Sequence, residues 1–480
     1  MRNVSIFVAD AGEVILMASS SKAAKSAPKE KVVEKVDVEA LKAKAYEPAR
    51  LAMIAHPFYE GKIEVVPKCA IRNVQDFAIW YTPGVAEPCK AINKNIEEVY
   101  RHTNKGNTVA VISDGTRVLG LGDIGPEAGL PVMEGKALLF KYLGGVDAFP
   151  LCLREKDPDK FIAIAKALQP SFGGFNLEDI SQPKCFRILE TLRKECDIPV
   201  WHDDQQGTAA IITSGTINAL KLVGKKMGEA KIVLFGAGAA NIATARVLVV
   251  AGANIKNIVM LDSKGTLHPG RSDIDQVNWK EKWYIATHSN REGIVGDLMA
   301  ATKGADALIA ASKPGPGTIQ PEVIKGMADK SIVFPVANPI PEIWPWEAKE
   351  AGAYVVGTGR SDFPNQVNNS LGFPGIFRGT LDIRARTITD EMCVAASYEL
   401  AKTAEDKGLT PEYIIPSMDE WEVFPREAVA VALKGIEQGV ARLKPSKQEL
   451  YDKAEAVIRR AREEVKLLMK QGFIKPFPKG

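Results

Sequence analysis

From residue 107 onward, short apolar runs alternate with helix-length amphipathic segments. This rhythm restricts the chain more than any other feature of it. "NTVAVISD" reads as a buried strand, "EGKALLFKYLGG" as a helix stopped by glycine, and "DAFPLCL" as a strand. "DPDKFIAIAKALQPSFGG" has the acidic start and Gly-Gly stop of a helix, "GGFNLED" is extended, "PKCFRILETLRKEC" is an amphipathic helix and "IPVW" a strand. Helical crossovers between buried strands predict a largely parallel sheet covered by helices, an α/β fold. "GTAAIITSGTINALKLVG" carries the chain to a second series, opened by "AKIVLFGAGAANIATARVLVVAGA" and continued through "NIVMLD", "ADALIAAS", "SIVFPVANP" and "AYVVGTG". The organisation expected is an arm over residues 1–45, an α/β domain over 46–206, a doubly wound Rossmann-type domain over 207–385 and a charged helical segment over 386–480. No repeat of fixed period is present.

Composition removes several classes of function. A net charge of +3 over 480 residues gives no electrostatic reason for a nucleic-acid or membrane partner. The six cysteines are scattered with no CxxC pair, which excludes a thiolate zinc site and points to a reduced, intracellular protein. The five histidines form no ligand-like pair, and no apolar run is long enough to span a bilayer. Lys, Ala, Ser and Glu dominate the first 45 residues, which read as a mobile arm ending in a short helix. Asp10 and Glu13 oppose a transit peptide, and "VILMA" is short for a signal sequence, so a cytoplasmic location is expected.

"VLFGAGAAN" places Gly236 and Gly238 between an apolar strand and a helix, where a dinucleotide pyrophosphate binds. Gly236 permits the tight turn, and Gly238 lets backbone approach the ligand. Ala239 and Ala240 open the helix, whose free N–H groups and dipole favour an anion. Asn241 stands where Gly or Ala is usual, and slightly looser helix–strand packing is expected there. Asp262, at the end of the next strand, suits the ribose hydroxyls of NAD and would repel a 2′-phosphate. Ser263 and Lys264 could hold that phosphate, so NAD is favoured over NADP without excluding it.

Two acidic pairs fall at the carboxyl ends of strands in one sheet, where ligands of open α/β sheets bind. Glu178 and Asp179 follow one strand; Asp203 and Asp204 follow another. Glu178, Asp179 and Asp204 could converge on one hard cation such as Mg²⁺ or Mn²⁺. Helix capping is the alternative for each aspartate. Lys136 falls in the first turn of a mostly apolar helix. Partly desolvated near a metal, its pKa would fall and the amine could serve as a base. Tyr81 sits beside a Thr-Pro-Gly turn, and Arg117 precedes a glycine-spaced run where it could pair with a carboxylate.

Taken together, "YTPGVAEPC", "SDGTRVLGLGDIGPEAGLPVMEGKALLFK", "FNLEDI", "HDDQQGTAA", "GAGAAN", "VANPIPE" and "NQVNNSLGFPGIFRG" resemble malic enzyme. They keep the family's order over roughly residues 60 to 400. The length and "GLPVMEGKALLFK" are similar to the shorter, prokaryotic-type branch, whereas Arg117 looks more like the longer enzymes. The resemblance implies oxidative decarboxylation of malate to pyruvate and CO2, decarboxylation of oxaloacetate, a nicotinamide cofactor and Mg²⁺ or Mn²⁺. It matches Lys136 to the base and Tyr81 to the acid, and Glu178, Asp179 and Asp204 to the metal ligands. Asn338 and Asn369 match groups contacting substrate and nicotinamide, and Arg117 a carboxylate-binding arginine. Asp203 would cap the following helix or pair with Lys136. A homodimer or higher homo-oligomer is implied by resemblance alone.

Overall fold

The computed structural model describes residues 4–9, 13–18, 35–36 and 38–479. The expected arm lies in large part outside the described residues. Where it is described, it is not without structure. Strands β1 (Val4–Ala9) and β2 (Glu13–Ala18) pair antiparallel, and β3 (Lys35–Val36) joins β2. Both longer strands are apolar and rich in β-branched residues, a strand signal that the lysine-rich composition after residue 21 obscures. The helix Val38–Tyr59 then runs through residue 45, where the arm was expected to end.

Four parallel strands form the first large sheet: β4 (Thr108–Ser113), β5 (Asp147–Cys152), β6 (Gly174–Leu177) and β7 (Val200–His202), in the order β5-β4-β6-β7. β4 and β6 are buried along their whole length, which is why they read as unbroken apolar runs rather than alternating ones. The crossover helices are set by local signals. The helix Pro158–Leu168 has proline at its first position, and its N-cap Asp157 accepts from the N–H groups of Asp159 and Lys160. The chain crosses from β4 to β5 on one side and returns to β6 on the other. The carboxyl ends of β4 and β6 therefore flank a crevice, the usual ligand position in such sheets.

The helix before β5 spans Pro126–Gly144, not the shorter stretch from Glu134. Pro131 lies inside it and concealed its start. Lys136 is consequently in the middle of this helix, a correction to its expected place in the first turn.

The second sheet contains β8 (Ile232–Phe235), β9 (Ile258–Asp262), β10 (Gly265–Thr266), β11 (Ala307–Ala310), β12 (Ile332–Pro335) and β13 (Val355–Val356). Their order is β10-β9-β8-β11-β12-β13, parallel except for the edge hairpin of β9 and β10. The order reverses at β8, so the crevice at the carboxyl ends of β8 and β11 is the dinucleotide position of a doubly wound fold.

The last part of the chain is helical: Asp390–Lys407, Val423–Glu437 and Lys447–Lys470. Its helices help to close the first domain. Val109, Val111, Phe140 and Trp201 share one core with Phe373, Phe377, Met392 and Val431. No helix among the described residues is long and apolar enough to cross a membrane.

Gly236 links β8 to its crevice with φ +100°, and a Cβ there would lie 2.4 Å from the Ala311 carbonyl oxygen. Gly236→Ala is expected to cost at least about 1–3 kcal/mol from the backbone conformation alone. Gly238 has φ −91° and open space where a Cβ would go, so Gly238→Ala should cost less. Thermal denaturation of both variants measures the contrast; equal midpoints would remove the close approach at Gly236.

Candidate active site

Strand β6 ends at Leu177, and the next two residues carry the first acidic pair. Asn176 and Glu178 share a face of the strand, and Asn176 Nδ2 donates to Glu178 Oε2 at 2.9 Å. Asp179 takes a left-handed conformation, φ +55°, which short polar side chains tolerate. Its N–H donates to Asp204 Oδ2 at 2.8 Å, and its Oδ1 accepts from the Leu119 N–H at 3.3 Å. Its Oδ2 is buried with no hydrogen-bond partner. One carboxylate oxygen from each of Glu178, Asp179 and Asp204 lies within 4.8 Å of the others.

The second pair enters through a single π-helical turn, Asp203–Gly207, between β7 and the helix Thr208–Leu222. Such turns are rare and concentrate at functional sites. Gly207, not an aspartate, is the N-cap of that helix. Asp203 instead contacts Lys136 Nζ through Oδ2 and accepts from Trp201 Nε1 at 3.1 Å through Oδ1. Of its two expected roles, pairing with Lys136 is the one observed. Lys136 Nζ also lies 3.3 Å from Glu178 Oε1 and 4.7 Å from the centre of the Phe373 ring.

Electrostatics follow from burial. Desolvation, then mutual repulsion, pushes Glu178 far above the ordinary carboxylate range and Asp179 up to about 8. Burial raises Asp203 and Asp204 too, against the pull of Lys136. For Lys136, burial works against the ammonium, but Asp203 and Glu178 outweigh it and raise the pKa. The expected fall in the lysine pKa is thus reversed, because the carboxylates lie closer to it than position in a helix could reveal.

Arg117 is exposed. Its N–H donates to the Asp179 carbonyl at 2.9 Å, and its charge pulls the pKa values of Asp179 and Asp204 down. Asn369 packs beside the acidic turn: a Cβ on Gly207 would meet Asn369 Cβ at 3.3 Å and Asp203 Oδ1 at 2.0 Å. Asn338 follows β12 in the second domain. The loop after β4 reaches it at Gly120, where a Cβ would lie 2.7 Å from the Asn338 carbonyl oxygen and 2.5 Å from Pro314 Cγ. Tyr81 is not brought to this cluster. It is 71% exposed, and its hydroxyl makes no hydrogen bond among the described residues.

At the glycine turn, Gly238 caps the helix Ala239–Val250, so Ala239 and Ala240 begin it. Asn241 is fully buried, and its Nδ2 donates to the carbonyls of Phe235 at 3.0 Å and Gly236 at 2.9 Å. The Asn241 amide thus ties the helix to the strand end through Nδ2, while its Oδ1 is buried without a hydrogen-bond partner. Asp262 ends β9 as expected, but both its oxygens accept from Arg271, each at 3.1 Å. Lys264 Nζ turns to Asp273 at 2.8 Å, and Ser263 is exposed. Asn176, Phe373 and Arg271 were not singled out from sequence. Only Asn176 carried a usable signal, its position two residues before Glu178.

Two family models match the chain: malic enzyme, N-terminal domain, over residues 60–193, and malic enzyme, NAD binding domain, over residues 205–436. The chain belongs to the malic enzyme family. Among curated relatives, the bifunctional malic/malolactic enzyme of Bacillus subtilis is 49% identical over 403 residues, covering 84% of this chain and 96% of the relative. The NAD-dependent malic enzyme of Geobacillus stearothermophilus is 49% identical over 382 residues, covering 80% and 78%. More distant malic enzymes at 43–44% identity include ones named NADP-dependent, as in Escherichia coli, and one named NAD-dependent, in Rhizobium meliloti. The crystal structure of Entamoeba histolytica malic enzyme superposes with a TM-score of 0.90 at 49% identity and 93% coverage of both chains.

The raised carboxyls bind more protons in the folded malic enzyme than in the unfolded chain. Their contribution to stability is therefore lost as pH rises from the ordinary aspartate value of 3.8 through about 8, the value for Asp179. In chelator-treated protein, stability should fall across that window, and Mn²⁺ should raise the thermal midpoint more at pH 8 than at pH 5.5. A Mn²⁺ effect no larger at pH 8 would count against a cation at these carboxylates.

Proposed function

We propose that this malic enzyme oxidises malate and decarboxylates it to pyruvate and CO2, using NAD or NADP and Mg²⁺ or Mn²⁺. The same second half-reaction would decarboxylate oxaloacetate. The observation that carries the reading is the convergence of Glu178, Asp179 and Asp204 within 4.8 Å, beside the buried Lys136.

The donor set suits a hard divalent ion: three carboxylates, with one Asp179 oxygen buried and unpartnered. Held by Glu178, Asp179 and Asp204, such an ion would supply a Lewis acid for a 2-hydroxy acid and offset the charge that keeps the proton on Lys136. The protein's own groups then divide the work. Lys136 removes the C2 hydroxyl proton, and Asp203 fixes its ammonium from the other side. The turn from Gly236 to Asn241 would hold the pyrophosphate of a nicotinamide cofactor, which would supply the acceptor for the C2 hydride. Asn338 and Asn369 orient substrate and nicotinamide across the seam between the domains, and Arg117 pairs with a substrate carboxylate. The C3–C4 bond breaks, C4 leaves as CO2, and Tyr81 delivers a proton to C3 of the resulting enolate. Its exposure fits a homo-oligomer in which a neighbouring surface covers that segment.

The direct test incubates the protein with malate, Mn²⁺ and either cofactor, and measures CO2, pyruvate and reduced cofactor. Equal amounts of all three are expected; reduced cofactor without CO2 would mean a non-decarboxylating dehydrogenase. Asp204→Asn should raise the Mn²⁺ concentration needed and cut turnover sharply, and unchanged metal dependence would remove Asp204 from the ligand set. Lys136 and Tyr81 act at different steps. Lys136→Ala should slow the first hydride transfer by roughly 10²- to 10⁴-fold, whereas Tyr81→Phe should slow pyruvate appearance more than hydride transfer. Single-turnover kinetics separate the two; small, equal effects on both steps would refute the assignment.

A further inference from the structure

We propose that Arg271 is the cofactor-selecting residue of this enzyme and binds a 2′-phosphate, so that the site accepts NADP despite the acid at the end of β9. The inference rests on reading the turn after β8 as the dinucleotide site.

An aspartate at this position selects NAD when its lone pairs are free for the ribose hydroxyls. Here they are largely taken. Arg271 Nη1 donates to Asp262 Oδ1 and Nη2 to Oδ2, each at 3.1 Å, and the Lys264 N–H donates to Oδ1 at 2.9 Å. Lys282 Nζ lies 3.7 Å from Oδ2, held over the Trp279 ring at 4.5 Å. Burial alone would raise the Asp262 carboxyl, but these partners hold it below the ordinary range. Its charge is therefore neutralised where it would otherwise repel a phosphate.

The guanidinium is shared. Its Nε and Nη2 donate to Asp273 at 2.6 and 2.8 Å, and Lys264 Nζ reaches Asp273 at 2.8 Å. Two carboxylates, Asp262 and Asp273, thus face three cations, Lys264, Arg271 and Lys282, leaving one positive charge in excess. The Asp273 side chain is 34% exposed against 14% for Asp262. Asp273 is the carboxylate that an incoming phosphate can replace on Arg271. A planar guanidinium already held in place exchanges one bidentate anion for another with little further ordering.

The test is calorimetric binding of 2′,5′-ADP and of ADP to the full-length protein, which differ only in the 2′-phosphate and need no turnover. The wild type should bind 2′,5′-ADP at least as tightly as ADP. Arg271→Met should weaken 2′,5′-ADP by about tenfold or more, as expected for lost charge-assisted hydrogen bonds, and leave ADP within about threefold. Asp273→Asn should tighten 2′,5′-ADP selectively, and it serves even if Arg271→Met does not fold. A wild type that prefers ADP about tenfold or more would overturn the proposal. So would equal weakening of both ligands in Arg271→Met, which would make Arg271 only a brace for its loop, or no gain in Asp273→Asn. Failure to turn over malate with either cofactor would count against the proposed reaction and leave these binding outcomes intact.

Discussion

A buried ammonium set among carboxylates is the interaction on which the substrate half of the molecule depends. Lys136 joins three pieces of chain: the middle of the helix Pro126–Gly144, the end of β6 through Glu178, and the turn after β7 through Asp203. Each ion removed from water costs several kcal/mol unless paired and hydrogen-bonded. The surroundings meet that demand. Trp201 Nε1 and Asn176 Nδ2 take up further carboxylate oxygens, and the Phe373 ring faces the ammonium. Lys136 does not pair with every carboxyl here, and burial raises the pKa values of Glu178, Asp179 and Asp204 where they meet.

How far the sequence reveals this depends on the range over which each signal acts. Strands β4 to β7 and their crossover helices are legible because burial on both faces writes continuous apolar runs, and because Asp157 and the glycines mark helix ends. The acidic pairs are legible because their strand-end positions follow from that rhythm. The start of the Lys136 helix is not, since Pro131 is a stop signal that the surrounding packing overrides. The raised lysine pKa is a matter of contacts across three elements. So is the surface position of Tyr81, whose motif identifies the residue without locating its hydroxyl.

At the cofactor end the limit is of another kind. A fixed offset from the glycine turn locates Asp262 but not what faces it. Arg271 returns to Asp262 because β10 folds back on β9, with Gly265 opposite Asp262. Lys282 arrives from a separate helix, Lys280–His288. Asn241 shows the opposite case: an apparent departure from the glycine pattern becomes a pair of hydrogen bonds to the strand end.

The shared core also governs the order in which the chain can fold. Phe140, on the helix that carries Lys136, packs its ring against Phe373, tilted, at 4.6 Å and against Phe377, edge to face, at 5.1 Å, and the same core closes on Val431. Contacts this far apart in sequence form late, because a long loop must close before they contribute. During synthesis, the sheet β4 to β7 emerges first but keeps one face of Val109, Val111 and Trp201 open until the helices from residue 373 onward are made. The second sheet has a core of its own on one face, around Val233, Leu308 and Val333, but its other face, with Ile232, Leu234 and Phe334, shares a core with Phe175 of the first sheet and with Leu400 and Phe424. Both sheets therefore leave a face open until the helices of the last hundred residues are made, and the helix that carries Lys136 is fully packed only after Phe373, Phe377 and Val431 arrive.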